Sequence, residues 1–565
     1  MSETNGAGER FAIGISFGNS SSSIARINSE GKAEVIANEE GDRQIPSILS
    51  YIGGEQYHGT QAKAQLIRNP GNTVAYFRDY LGKDFKSIDP TPCHNSAHPI
   101  QTDSTVAFSI RDSESETPNT VTVSEITTRH LLRLKQSATD YLGKEVNAAV
   151  ITVPTDFNDA QRETLTAAAK AAGIEVLQLV HEPVAAALAY DARPESVVTD
   201  KIVVVADFGG NRSDVAVISS RGGMYTILAT AHDYELGGST LDKIVIDHFA
   251  KEFIKKHKTD PRENARGLAK LKAEGEATRK ALSLGTNATL SIESLADGID
   301  YGSTINRTRY ELLSNKVFAQ FTGLIEQVIK KADLDVLDID EVVFSGGVSH
   351  TPKIAQIARS IFPEKTKILA PSVETTAINP SELSVRGAAI QASLIQEFDT
   401  EDIEQSIHPM VTATPHLNNA IGVEFSSGGD AVEFSPLLNT QTALPARRVA
   451  QYNAPKEGGD VLIRVVEGVR EIKVTKPEPK PKEEKKPKAE DEDDSDFDDS
   501  DDDEEDEIRE IVWKTQNPIA ELAVKGVKAN GKVELMVHIN ADLGLQITAR
   551  EVGGQSAVRG AVESP

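Results

Sequence analysis

Ile202-Val203-Val204-Val205-Ala206-Asp207-Phe208-Gly209-Gly210-Asn211-Arg212-Ser213-Asp214-Val215-Ala216-Val217-Ile218 is written as strand, glycine turn, strand. The apolar run from Ile202 to Val205 reads as a buried strand, and alternation resumes at Val215, Val217 and Ile218. Between them, Gly209 and Gly210 let backbone amides come close to a ligand, because glycine has no Cβ to block the approach. Amides converging on one point cradle an anion, and phosphate is the usual occupant. Asp207, just before the glycines, stands where an acid would hold a metal-bound water. Taken alone, the same residues read first as an ordinary tight turn.

Recurrence changes that reading. Phe11 to Ile27, FAIGISFGNSSSSIARI, has the same form around Gly18, and Glu341 to Pro352, EVVFSGGVSHTP, sets Gly346-Gly347 directly after an apolar strand. Three glycine turns spaced along one chain predict a duplicated fold closing on one phosphate chain from both sides. No glycine-rich loop ends in Gly-Lys-Ser/Thr, so a P-loop is excluded.

The order of the other elements supports this. Ser124–Leu142 is a predicted amphipathic helix, with Leu131, Leu134, Ala138 and Tyr141 on one face and Gly143 ending it. Val146–Pro154 is a strand; Asn158 and Gln161 form a capping box for the next helix, which Gly173 stops. A strand at Ile174–Val180 leads to the alanine-rich helix Pro183–Tyr190, with proline in its permitted first turn. This βαβα alternation predicts an α/β domain with a partly parallel sheet. Arg10–Ile52 is expected to be a β-meander. Strands from Met224 reach Gly237-Gly238, and helices follow at Thr240–Lys258, Glu263–Leu284, Thr351–Phe362 and Val385–Glu397. Beyond His408 the pattern changes to period 2, over Ile421–Val474 and Ile511–Glu551, which predicts a small β-sandwich.

The 565 residues carry a net charge of −26, but Glu490–Glu507 holds 15 acids and no base, leaving −11 for the rest. With the lysine- and proline-rich stretch before it, this segment is too polar to bury and reads as a disordered, solvated loop rather than a specific docking tail. Nothing offers a broad basic face, so direct nucleic-acid binding is not expected. The polar N-terminus, the lack of a long apolar run and the single Cys93 predict a soluble protein of the cytoplasm that binds no membrane.

Several motifs in fixed order resemble the heat-shock protein 70 family. They are Ile151-Thr152-Val153-Pro154 with Phe157 to Arg162, His181-Glu182-Pro183-Val184-Ala185-Ala186-Ala187, and Gly387-Ala388-Ala389. The likeness runs from about Phe11 to Ile395 and continues more faintly beyond. It implies an α/β actin-like two-lobed ATPase fold over residues 1–400 and a linker over 401–418. A small lidless β-sandwich over 419–552 would follow, with the charged insertion at 475–509 and a tail at 553–565. It further implies ATP as the ligand, with or without Mg2+. By this resemblance Gly18, Asn19, Ser20, Lys63, Gly209, Gly210, Asn211, Gly237, Gly238, Gly346 and Gly347 would hold phosphates. Glu276, Arg279, Lys280 and Ser283 would face the nucleoside. Lys63, Glu182, Asp207 and Asp214 match catalytic and metal-shell positions, although a lone lysine such as Lys63 is ordinarily surface charge. No residue is assigned to a metal.

The departures are as informative. The family's first loop carries an aspartate where this chain has Ser16, and the second loop continues here with Asn211-Arg212. The third ends in His350 where the family has arginine, and a nearby family aspartate is Ser381. Losing one metal-ordering acid raises a phosphoryl-transfer barrier by several kcal/mol, so binding should survive while hydrolysis becomes negligible. Arg212 brings a cation near the phosphates, which should tighten binding without helping turnover. Ser406–Leu417, SIHPMVTATPHL, lacks the family's leucine-rich linker. Together these resemble the atypical branch that forms the fungal ribosome-associated complex. There the partner is zuotin, a J-domain protein, in a stable heterodimer. Ribosome contact comes through that partner, a separate ribosome-bound heat-shock 70 chaperone is stimulated, and nascent chains are the clients. The competing readings are an active chaperone ATPase or exchange factor of the same superfamily and, less favoured, a sugar kinase on the same fold.

Overall fold

The computed structural model describes residues 10–403 except 90–94, 104, 116, 195, 198 and 400, and residues 415–563 except 427–431, 476–507 and 555–556. The chain divides into two units, residues 1–412 and 413–565.

The first unit contains two sheets with one strand order. In the first lobe, Ala12–Phe17 lies between Ser21–Ile27, antiparallel to it, and Ala148–Val153, parallel to it; Ala33–Ile36 and Glu175–His181 complete the two sides. In the second lobe, Lys201–Phe208 lies between antiparallel Ser213–Arg221 and parallel Glu341–Ser345, with Met224–Asp233 and Lys367–Leu369 outside them. The predicted duplication is therefore present strand for strand. Ala148–Val153 is buried at every position, as a parallel strand covered on both faces must be. The expected meander over Arg10–Ile52 holds only as far as Ile36, because Ile48–Ile52 joins a separate small sheet with Glu55–His58 and Thr73–Ala75.

The lobes exchange helices. Glu182–Asp191 follows a first-lobe strand, yet its Ala186, Ala189 and Tyr190 pack on Val203, Val205 and Ile218 of the second sheet. Leu383–Ile395 follows second-lobe strands and packs Ala388, Ala392 and Ile395 on Ala148, Val150 and Leu177 of the first. The two helices meet at glycine: a Cβ on Gly387 would lie 1.8 Å from the Ala185 carbonyl oxygen.

Local signals hold where the chemistry is local. Asn158 accepts from the Gln161 amide while Gln161 accepts from the Asn158 amide, so the capping box over Asp159–Ala171 is complete. Val123–Leu142 ends at Gly143 with φ 63° and buries Leu131, Leu134 and Ala138, but Tyr141 is exposed: one turn further along, the same face meets solvent.

The second unit is a sandwich of two four-stranded sheets. Val533, Leu535, Val537 and Ile539 point inward as the alternation predicts, against Val465, Leu522 and Val524 of the other sheet. The predicted boundaries shift at both ends. Leu417, expected in the linker, is already buried and donates its amide to Thr442 O. The expected tail carries a strand, Ala557–Val562, paired with Leu545–Glu551. Gly459–Thr475 and Ile508–Val527 form one long antiparallel ladder whose last pair is Thr475 and Ile508. The body of the charged insertion, the linker residues 406–414 and Cys93 lie outside the described residues. Among the described residues no helix is long and apolar enough to cross a membrane.

Candidate functional site

The glycine turns converge. The Ser20 hydroxyl donates to Asn211 Oδ1 at 2.9 Å, joining the first turn to the second. Gly209 O and Gly210 O accept from the amides of Gly238 and Ser239, which ties the second turn to the helix Gly238–His257. The backbones are in contact: a Cβ on Gly237 would lie 2.7 Å from Asn211 C, and one on Gly346 would lie 2.4 Å from Phe208 O. Gly346 also has φ 82°, a conformation that glycine alone adopts cheaply. A Cβ on Gly347 would meet only Ser381 Oγ, at 4.0 Å. In the first turn, Asn19 Oδ1 is buried with no partner. Turning that amide over presents an N–H at the same place, which suits a phosphate oxygen. The residues present thus fit a nucleotide's phosphates.

A buried hydrogen-bond chain holds the first turn from behind. Ser47 Oγ donates to Gly18 O at 2.7 Å, Ser47 meets Ser22, Ser22 meets His130 Nε2, and His130 Nδ1 meets His58 Nε2 at 2.7 Å. Burial, then the neighbouring His58, holds His130 well below 6.5; burial and Arg133 push His58 down to about 4, with Glu39 opposing. Both imidazoles therefore take up protons more readily in the unfolded chain, so stability falls as pH drops from about 6.5 towards 4. Urea midpoints at about pH 5 are expected to fall below those at about pH 7, and His58→Asn should narrow that gap. A gap of unchanged size in the variant would assign the acid sensitivity elsewhere.

Under the turns lies a cluster of acids and arginines. Glu182, Asp207 and Asp214 border a cavity of about 10 Å³, roughly the room of one water-sized sphere. Burial lifts Glu182 to about 8, the charges of Asp207 and Asp214 adding to it against Arg78. Burial and Asp214 likewise raise Asp207, which accepts from Ser345 Oγ at 3.1 Å. Burial pushes Asp214 up too, but the hydrogen bond from His232 and the charge of Arg212 more than reverse it, and its carboxyl is held below the usual range. The cluster thus pushes two of its acids in opposite directions, Glu182 towards its protonated form and Asp214 towards its ionised one.

Lys63 is not among them. Its ammonium binds both oxygens of Glu276, at 2.9 and 2.7 Å, and Glu276 also takes Lys280. Against its partial burial, those two cations lower its carboxyl to about 2. The cation that meets Glu182 is Arg78, buried, with Nη1 3.1 Å from Glu182 Oε1 and 3.3 Å from Phe17 O. Of the other expected nucleoside-facing groups, Arg279 is tied to Asp242 at 2.6 Å, and Ser283 donates to its own helix at Arg279 O. Ser381 and His350 bond each other at 3.1 Å.

Sequence reasoning also missed Asp79, Asp156, His232 and Tyr234. Arg212, buried, donates through Nε to Asp214 at 2.8 Å and through Nη2 to Asp156 at 3.0 Å and to Asp214, while Nη1 lies 3.8 Å from Asp79. Its guanidinium stacks 4.6 Å over Tyr234, whose hydroxyl donates to Asp156 at 2.8 Å. Asp156 was findable, since it sits two residues before the capping Asn158.

Comparison with known proteins bears on what this geometry belongs to. A family model described as Hsp70 protein matches residues 12–478. The chain is 46% identical to ribosome-associated complex subunit SSZ1 of Saccharomyces cerevisiae, across 97% of this chain and 99% of that one. It is 44% identical to a heat shock protein 70 homolog of Schizosaccharomyces pombe, across 97% and 95%. Heat shock 70 kDa protein 14 of Xenopus tropicalis is 31% identical across 81% of this chain and 87% of its own. With paired lobes, converging glycine turns and a sandwich after them, the chain belongs to the heat-shock protein 70 family.

Proposed function

We propose that this protein binds ATP with little or no hydrolysis and acts as the heat-shock-70-type subunit of a cytoplasmic ribosome-associated complex. In that role it pairs stably with the J-domain protein zuotin and reaches the ribosome through it. The pair stimulates a separate ribosome-bound heat-shock 70 chaperone acting on nascent polypeptides. The assembly is supported by identity along nearly the whole of both chains to a relative whose name carries that complex.

The observation that carries the low turnover is the commitment of the acids. Asp214 is taken by Arg212 and His232 and Asp207 by Ser345, and Ser16, where the resemblance expects an acid, offers only a hydroxyl. Phosphoryl transfer depends on positioning and charge neutralisation, and a missing carboxylate costs orders of magnitude in rate.

Purified protein loaded with radiolabelled ATP and freed of excess is expected to retain intact nucleotide over hours, and co-expressed zuotin is expected to co-purify with it in equal amount. Steady phosphate release that disappears in Asp207→Asn would instead make this a working ATPase. Loss of zuotin on purification would remove the assembly.

A further inference from the structure

We infer that Arg212 takes the place of a divalent cation in this site, so that the nucleotide is held free of Mg2+. The inference rests on the nucleotide reading above and concerns how the same site meets the ligand's charge.

Asp156, Asp214 and His232 present ligand atoms all within 4.8 Å of one another, the spacing of a three-ligand cation site. A cation already occupies the two carboxylates, and it is covalently part of the chain. Arg212 takes both oxygens of Asp214 and one of Asp156; His232 Nδ1 lies 2.6 Å from Asp214 and the Tyr234 hydroxyl 2.8 Å from Asp156. A forked guanidinium on a carboxylate makes paired charge-assisted bonds, the strongest class of hydrogen bond in proteins. Its charge is permanent, and although burial works against it, Asp214 and Asp79 raise its pKa further. Mg2+ asks for six oxygens in near-octahedral array and gives up water reluctantly. It would have to displace a buried guanidinium from its own acids, while Ser16 supplies no carboxylate in exchange. The donor set does not fit the metal.

A nucleoside triphosphate brings several negative charges that something must offset. Arg212, whose carbonyl closes the second glycine turn, and Arg78, on Phe17 O before the first, stand together at Asp79, 3.8 and 2.8 Å from it. Their charge offsets the acids Asp79, Asp156 and Asp214, which would otherwise repel those phosphates, and they cannot dissociate. The ligand class is thus the metal-free nucleoside triphosphate rather than its magnesium complex.

The test uses the full-length chain stripped of nucleotide and titrated with ATP in EDTA and in excess Mg2+. The dissociation constants are expected to agree within about threefold. Electron paramagnetic resonance with Mn2+ should show no ion retained with the bound ATP. In Arg212→Gly, which frees the carboxylates, ATP binding should become at least about tenfold tighter with Mg2+ than without, and Mn2+ should be retained. Arg212→Lys, which keeps a point charge, should stay indifferent to metal; it also separates loss of charge from loss of folding. Wild-type binding about tenfold or more tighter in Mg2+, or Mn2+ carried with its nucleotide, would overturn the inference. Absence of ATP binding in both buffers would overturn the nucleotide reading itself, and this inference with it.

Discussion

Gly387→Ala is expected to cost upwards of about 3 kcal/mol of stability and to abolish ATP retention. An alanine Cβ there would fall 1.8 Å from Ala185 O and 2.5 Å from Ala185 C, both of them backbone atoms that cannot swing aside. The helices Glu182–Asp191 and Leu383–Ile395 would have to part, and each covers the sheet of the opposite lobe. One displacement therefore loosens both cores and carries Glu182, the first residue of its helix, away from Asp207 and Asp214. The urea midpoint and the ATP-retention assay read the two effects. Gly323→Ala is the control: it sits inside the helix Arg307–Lys331 with nothing within 4 Å, so losing a flexible glycine should stabilise by about 0.5–1 kcal/mol. A midpoint for Gly387→Ala equal to wild type would refute the close crossing.

Asp242→Ala should destabilise by about 3–5 kcal/mol, because it strands Arg279. The pair joins the helices Gly238–His257 and Ala265–Leu284 at 2.6 Å, and Arg279 is 5% exposed. The two partners respond differently. Burial raises Asp242 despite Arg279, whereas Arg279 is raised despite burial by Asp242. The carboxylate is expensive to bury and the guanidinium is what it serves, so removing the acid leaves a charge that has no neutral form. Removing both should cost far less: Asp242→Leu with Arg279→Met is expected to recover most of the loss. A double variant no more stable than Asp242→Ala would contradict this account. A nucleotide affinity that follows Arg279 while stability recovers would separate its ligand role from its structural one.

Most of the architecture was legible because its signals are local. The hairpins around Gly18 and Gly209-Gly210, the strand before Gly346 and the Asn158 cap each declare themselves within a dozen residues. The ion pairs do not. Arg78 and Glu182 are 104 positions apart, Lys63 and Glu276 are 213, and no periodicity links them. Lys63 reads as a lone lysine in its own segment, and only the fold brings it to Glu276 on the Ala265–Leu284 helix. Arg78 comes two residues after Tyr76, a non-glycine residue at φ 56°, a backbone turn invisible in the sequence. The strand Ala557–Val562 escaped notice because four of its six residues are exposed at a sheet edge and none is fully buried, so it lacks the inward signal of its neighbours.

The pairing of Thr475 with Ile508 has a consequence for how this protein can vary. It sets the two ends of whatever chain joins them about 5 Å apart, whatever that chain's length or composition. Closing such a loop costs only about 0.6 kcal/mol more for each doubling in length. The mouth of the ladder is thus a socket: segments can be shortened, extended or exchanged there, by drift or by a laboratory insertion such as a fluorescent reporter, while the sandwich keeps its register.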